Sequence, residues 1–266
     1  MIVRKEYNIA LKAAIAASKE IMRFYADGFE TEIKQDGSPV TQADLAASKI
    51  IDSYLLPTNI PITGEETLKS DFEVRKHWTE CWCVDPLDGT KEFVKKNGEF
   101  AVNIAFIRNG KPLFGVIASP VEETILFGGK ETGVFHASFS DIDILTSWVQ
   151  LKQPEQIQLP FILTCSRSHH SGPVLNLINE LATTFETIEY IKKGSSLKFF
   201  DLAFGRAAIY PRFAPTMEWD IAAGQAILEA LGGSVLNAVT GEPLNYNKEN
   251  LTNPYFIAKI APLMDL

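Results

Sequence analysis

Apolar residues recur at helical spacing over residues 6–29 and again over 42–56, a pattern that predicts two amphipathic helices at the start of the chain. Gly28 and Pro57 supply their stops. The period then changes. Cys81-Trp82-Cys83-Val84 reads as a short buried strand, and beyond Phe100 two β-type runs, 101–107 and 112–118, flank Asn109-Gly110, a strong hairpin signal. Runs at 124–127 and 133–135 add strands to an antiparallel sheet. A polar stretch at 152–158 is the best boundary. It divides an N-terminal α+β half (1–150) from a C-terminal α/β half (151–266), in which strands near 161–164, 187–191 and 208–211 alternate with helices. Gly194-Ser195-Ser196 ahead of Leu197-Lys198-Phe199-Phe200 reads as a helix N-terminus, and Asp220 as the N-cap of a helix over 221–231 that Gly232-Gly233 ends. The class that emerges is α/β, an α+β layered chain without internal repeats.

Composition narrows what such a chain does. With 266 residues and 46% apolar content it buries a sizeable core. No apolar run approaches a membrane span, and the first residues lack the apolar core of a signal peptide, so the cytoplasm is the expected location, with a loose association at the inner membrane left open. Cys81, Cys83 and Cys165 form an odd set without metal-knuckle spacing and read as reduced, buried thiols. A net charge of −8 argues against polymeric nucleic acid, which needs clustered Lys and Arg. A small phosphorylated ligand stays compatible, since cations bridge it to acidic side chains.

Candidate chemistry concentrates in Asp85-Pro86-Leu87-Asp88-Gly89-Thr90. Two carboxylates three residues apart across a proline-stiffened bend converge with the Leu87 carbonyl on one small volume, a hard-oxygen set suited to Mg²⁺ or Mn²⁺. Gly89 and Thr90 offer backbone N–H groups and a hydroxyl to an anion. An Asx-turn followed by a helix cap explains the same residues without chemistry. Two further acidic clusters, Glu65-Glu66 and Glu218-Trp219-Asp220, favour a site.

The segments 82–93 and 218–224 together resemble the two signature motifs of the inositol monophosphatase superfamily, Mg²⁺-dependent and lithium-sensitive phosphatases. Thr90-Lys91-Glu92-Phe93 and the run 97–105 are similar to the branch that removes the 3′-phosphate of 3′-phosphoadenosine 5′-phosphate in sulfur-assimilation nucleotide recycling. The likeness continues through Ser166-Arg167-Ser168-His169 and Gly194-Ser195-Ser196-Leu197-Lys198. It departs at Ala214, where glycine is common in the family. The resemblance implies an α/β/α/β/α sandwich with the site between the halves. It implies two Mg²⁺ ions: Asp85 bridging, Glu66 and the Leu87 carbonyl completing one, Asp88 and Asp220 holding the other. It also makes Thr90, backed by Asp44, the group that orients water, with Glu66 counted in the catalytic set and Asp44 near a third, weaker ion. On the substrate side it points to Lys34, Gly89, Thr90, Arg167, Gly194, Ser195, Ser196, Lys198, Arg212, Glu218 and Asp220. Ordinary capping accounts equally for 194–196, and surface ion pairing for either arginine. His169 and His170 read as loop residues.

The leading reading is a bisphosphate nucleotidase and the runner-up an inositol or sugar-phosphate phosphatase on the same metals; a non-catalytic phosphometabolite-binding module is disfavoured by the joint presence of Glu66, Asp85, Asp88, Thr90 and Asp220. A monomer and a homodimer are both compatible with the sequence.

Overall fold

Residues 4–33, 39–67, 70–152, 155–166 and 172–263 are described by a computed structural model. In chain order, the first half contains α1 (Lys5–Asp27), β1 (Thr31–Ile33), β2 (Pro39–Thr41), α2 (Gln42–Leu55), β3 (Ile62–Gly64), α3 (Phe72–Arg75), β4 (Glu80–Asp88), α4 (Thr90–Val94), β5 (Ala101–Arg108), β6 (Lys111–Ser119), β7 (Thr124–Gly129), β8 (Gly133–Ser138) and β9 (Val149–Leu151). The second contains β10 (Phe161–Cys165), α5 (Pro173–Leu181), β11 (Ile188–Lys192), α6 (Lys198–Ala203), β12 (Ile209–Arg212), α7 (Glu218–Ala230), β13 (Ser234–Asn237) and β14 (Phe256–Lys259).

Strands β3 to β9 form one seven-stranded sheet in sequence order, antiparallel except for the parallel β3–β4 pair. The β5–β6 hairpin turns at Asn109 and Gly110, whose φ of 50° and 74° are those the Asn-Gly signal requires. The second sheet runs β11-β10-β12-β14-β13 and is mixed.

Alternation along the central strands separates the layers. Trp82, Val84, Ile104 and Phe106 face α1 and α2, where Tyr7 stacks on Phe114 with ring centroids 4.0 Å apart. Cys81, Cys83, Ala105 and Ile107 face the other way, into a core shared with α6, α7 and the second sheet. The three cysteines are free and buried. Leu177, Ile178 and Leu181 of α5 pack against that same core, which gives the α/β/α/β/α order. α7 lies close on both sides. An added Cβ on Gly115 of β6 would sit 2.1 Å from the Ala223 carbonyl oxygen, and one on Gly224 would strike the Phe199 ring at 2.2 Å. Among the described residues no helix is long and apolar enough to cross a membrane.

Candidate active site

The acidic motif is not a turn beyond the end of a strand, as the sequence suggests. β4 continues through it, with Asp85 opposite Asn103 and Asp88 opposite Ala101, so the strand spends one extra residue between the two carboxylates. Such a bulge bends the strand and re-aims its side chains, and Pro86, which has no N–H to offer, fits there without breaking the ladder. Leu87 N then donates to Asp85 Oδ1 at 3.0 Å.

Asp220 joins them from α7. It is the third residue of that helix, not its N-cap; Met217 caps, and Met217 N donates to Asp220 Oδ2 at 2.8 Å. Ligand oxygens of Asp85, Asp88 and Asp220 all lie within 4.8 Å of one another. Burial first, then the neighbouring carboxylates Glu65, Asp88 and Asp220, push Asp85 well above the usual carboxylate range. Burial and Asp88 do the same to Asp220. Among the described residues no Lys or Arg pairs with these three. A converging, unneutralised set of hard oxygen donors therefore fits a divalent cation.

The carboxylate beside this set is Glu65, which corrects the expectation for Glu66. β3 pairs with β4 as Ile62↔Trp82, Thr63↔Cys83 and Gly64↔Val84, and Glu65 N continues the ladder by donating to Val84 O at 3.1 Å. That register carries Glu65 to Asp85, and Glu65 lines the cavity. An added Cβ on Gly64 would lie 2.3 Å from the Val84 oxygen, so glycine permits the approach. Glu66 instead acts electrostatically on Asp44.

Asp44 is the third residue of α2 and buried. Its Oδ2 accepts from Thr41 N at 2.8 Å and Thr41 Oγ1 at 2.6 Å, which leaves Oδ1 to accept from Thr90 Oγ1 at 2.9 Å. Burial raises the Asp44 pKa, and the bonds from Thr41 and Thr90 oppose the rise. Thr90 opens α4 after Gly89, which has φ +96° and room for no side chain, because a Cβ would meet Glu99 O at 2.9 Å. Phe93 and Phe100, edge to face at 5.1 Å, anchor that turn from below.

The expected phosphate-holding loop at 194–196 sits on the cavity wall, but its donors face carboxylates. Gly194 N donates to Glu99 Oε2 at 2.8 Å, while Ser195 Oγ and Ser196 N donate to Asp88 Oδ2 at 2.9 and 2.6 Å. Ser195 adopts φ 58°, a left-handed conformation uncommon for serine. Leu197 is the residue before α6, so the loop precedes that helix by more than one cap position. The sequence reading missed Glu99 and Asn103; the signal for Asn103 is one polar residue inside the apolar run 101–107.

The same cavity also carries two cationic side chains. Lys198 is buried, and its Nζ donates to the carbonyls of Lys193 at 3.1 Å and Ser195 at 2.5 Å. Burial holds its pKa down to about 8, against the pull of Asp88. Arg212 reaches Ser166 Oγ with Nη1 and Pro215 O with Nη2. Both line a cavity of about 440 Å³ with Glu65, Asp85, Asp88 and Asp220. Glu218 does not line it. As the first residue of α7 it points away, accepting from Asn247 N at 2.6 Å, Lys248 N at 3.1 Å and Lys248 Nζ at 2.5 Å, and so pins the 247–248 segment. Lys34 and Arg167 lie outside the described residues.

A layered α/β chain in which a carboxylate cluster, a lysine and an arginine line one cavity defines a metal-site, phosphate-handling class of fold. The chain belongs to the inositol monophosphatase family, whose model matches residues 3–260. It is 39% identical over 250 residues to the 3′(2′),5′-bisphosphate nucleotidase CysQ of Escherichia coli K12, covering 92% of this chain and 95% of that one. Against the same-named protein of Salmonella typhimurium LT2 it is 40% identical over 245 residues, covering 90% and 94%. The crystal structure of CysQ from Bacteroides thetaiotaomicron, described as a bacterial member of the inositol monophosphatase family, superposes with a TM-score of 0.84. It is 40% identical, over 95% of this chain and 96% of that one.

Proposed function

We propose that this chain is a Mg²⁺-dependent 3′(2′),5′-bisphosphate nucleotidase that removes the 3′-phosphate of 3′-phosphoadenosine 5′-phosphate. The observation that carries the reading is a cavity with two opposite demands: Asp85, Asp88 and Asp220 call for cations, while Lys198 and Arg212 call for an anion. A substrate with two phosphates meets both. The nucleotidases named above, at 39–40% identity, support this choice over an inositol phosphatase.

Glu65, Asp85 and the Leu87 carbonyl would hold one Mg²⁺, and Asp85, Asp88 and Asp220 a second. A third, weaker ion belongs near Asp44, and Mn²⁺ substitutes for Mg²⁺ because the donors are carboxylate and carbonyl oxygens. When bound, the cations neutralise the phosphoryl oxygens and the departing alkoxide. The protein supplies the rest. Thr90 Oγ1 takes a proton from the attacking water as its own passes to Asp44 Oδ1, a carboxylate whose burial raises its affinity for that proton. Lys198 and Arg212 hold the phosphate that is not cleaved, Arg212 through a planar fork. This orientation counts for much of the rate, because a misplaced ester loses its in-line geometry.

Turnover of 3′-phosphoadenosine 5′-phosphate and of inositol 1-phosphate, measured side by side with Mg²⁺, tests the assignment. A kcat/KM at least about a hundredfold higher for the bisphosphate is expected, since the second phosphate adds charge-assisted bonds. Preference for inositol 1-phosphate overturns the substrate, and turnover of neither overturns the enzyme.

A further inference from the structure

Asp88 Oδ2 accepts from three donors on two separate parts of the fold. Ser195 Oγ (2.9 Å) and Ser196 N (2.6 Å) come from the loop after β11, and Asn103 Nδ2 (3.2 Å) comes from the middle of β5. Asn103 is fully buried, the one polar side chain within Ala101-Val102-Asn103-Ile104-Ala105. Its other amide atom, Oδ1, accepts from Ser196 Oγ at 2.6 Å. These two bonds determine which way the amide faces. A carboxylate oxygen has nothing to donate, so the NH₂ group must meet Asp88 and the amide oxygen must meet the serine hydroxyl.

An apolar side chain would pack at this place without a polar group to satisfy, and a buried amide is costly unless bonded. What the amide does that an apolar residue cannot do is commit one oxygen of Asp88 to the protein. Oδ2 is occupied by three donors, and Oδ1 is the Asp88 oxygen that remains to face a cation. Resting on the cation site proposed above, we infer that Asn103, aligned by Ser196, is a positioning residue that locks Asp88 in its ligand orientation. Hydrogen-bonding partners behind a metal ligand commonly change metal affinity by about 10–100-fold.

Calorimetric titration of Mg²⁺ into the chelator-stripped full chain tests this, with thermal melting of the same metal-free samples. Asn103→Ala weakens Mg²⁺ binding by about tenfold or more. Ser196→Ala keeps the backbone donor to Asp88 and removes only the group that aligns the amide, so it weakens binding less, by about threefold. The double variant binds no more weakly than Asn103→Ala, because the hydroxyl acts through the amide. A purely structural Asn103 would lower the melting temperature and leave the affinity of the folded protein within about twofold of wild type, which would overturn the inference. Should Asn103→Ala fail to fold, unchanged affinity in Ser196→Ala overturns it equally. A wild-type chain that binds no Mg²⁺ refutes the cation site itself, an outcome separate from equal binding by wild type and variants.

Discussion

Thr90 Oγ1 donates to Asp44 Oδ1 at 2.9 Å, joining the last residue of the acidic motif to the first turn of α2, 46 positions away in the chain. A buried carboxylate that holds a threonine hydroxyl at the edge of a cation site suits proton transfer from water. Thr90→Val and Asp44→Asn should each lower kcat by about 10²–10⁴-fold at saturating Mg²⁺. The double variant should lose little more than either single one, since the two act as a unit. Steady-state kinetics with circular dichroism as the folding control decides it; a kcat within a fewfold of wild type removes the pair from the mechanism.

Glu65 and Glu66 are adjacent and chemically alike, yet only Glu65 is carried to Asp85 by the β3–β4 register. Glu65→Gln should therefore raise the Mg²⁺ concentration needed for half-maximal rate at least about tenfold, and Glu66→Gln much less, in keeping with the loss of one charged ligand. The reverse order would return the ligand role to Glu66.

That Glu65, and not Glu66, lies beside Asp85 is not legible in the sequence, for a physical reason. Asp85, Asp88 and Thr90 announce themselves because proline, glycine and a buried apolar run confine them locally, and the Asn-Gly hairpin and the opening helices are local in the same sense. Glu65 depends on which strand residue lies beside which, a long-range fact. Asn103 is similar: its amide gains meaning only when the 194–196 loop arrives from the other half. Glu218 and Asp220 share one motif in the sequence, but on a helix a spacing of two turns side chains to different faces, and Lys248 lies on the Glu218 side. Asp220 stands three positions past the cap of its helix, a placement the sequence leaves open because capping boxes put the acidic residue third as readily as aspartate caps directly.

Lys198 is buried at the cavity, and burial holds its pKa down to about 8. Its charge is therefore present below that pH and is lost as pH rises through it, well before a free lysine titrates. KM for the bisphosphate should rise above about pH 8, approaching about tenfold per pH unit if the ammonium is required for binding. Lys198→Arg, which stays charged, should abolish the inflection. A pH-independent KM between 7 and 9.5 would exclude Lys198 from phosphate binding.

Gly115 lets α7 rest on β6, since a Cβ would lie 2.1 Å from the Ala223 oxygen and 2.7 Å from its Cα, backbone atoms with nowhere to go. Gly115→Ala should destabilise the fold by about 1–3 kcal/mol, the usual range for overpacking. For a chain this long that is about 2–4 °C in Tm per kcal/mol. Because α7 carries Asp220, activity should fall with the shift even in the folded fraction. Unchanged Tm and unchanged activity would mean that the helix moves freely over the sheet.

Product identification by ³¹P NMR tests the central claim most directly. Incubated with Mg²⁺ and 3′-phosphoadenosine 5′-phosphate, the protein should release inorganic phosphate and leave adenosine 5′-phosphate. That outcome is expected if, as proposed, the 3′-ester is placed against the carboxylate cluster of Asp85, Asp88 and Asp220 and the 5′-phosphate against Lys198 and Arg212, which line the same cavity. Accumulation of adenosine 3′-phosphate, or release of phosphate at the same rate with excess chelator, would contradict it.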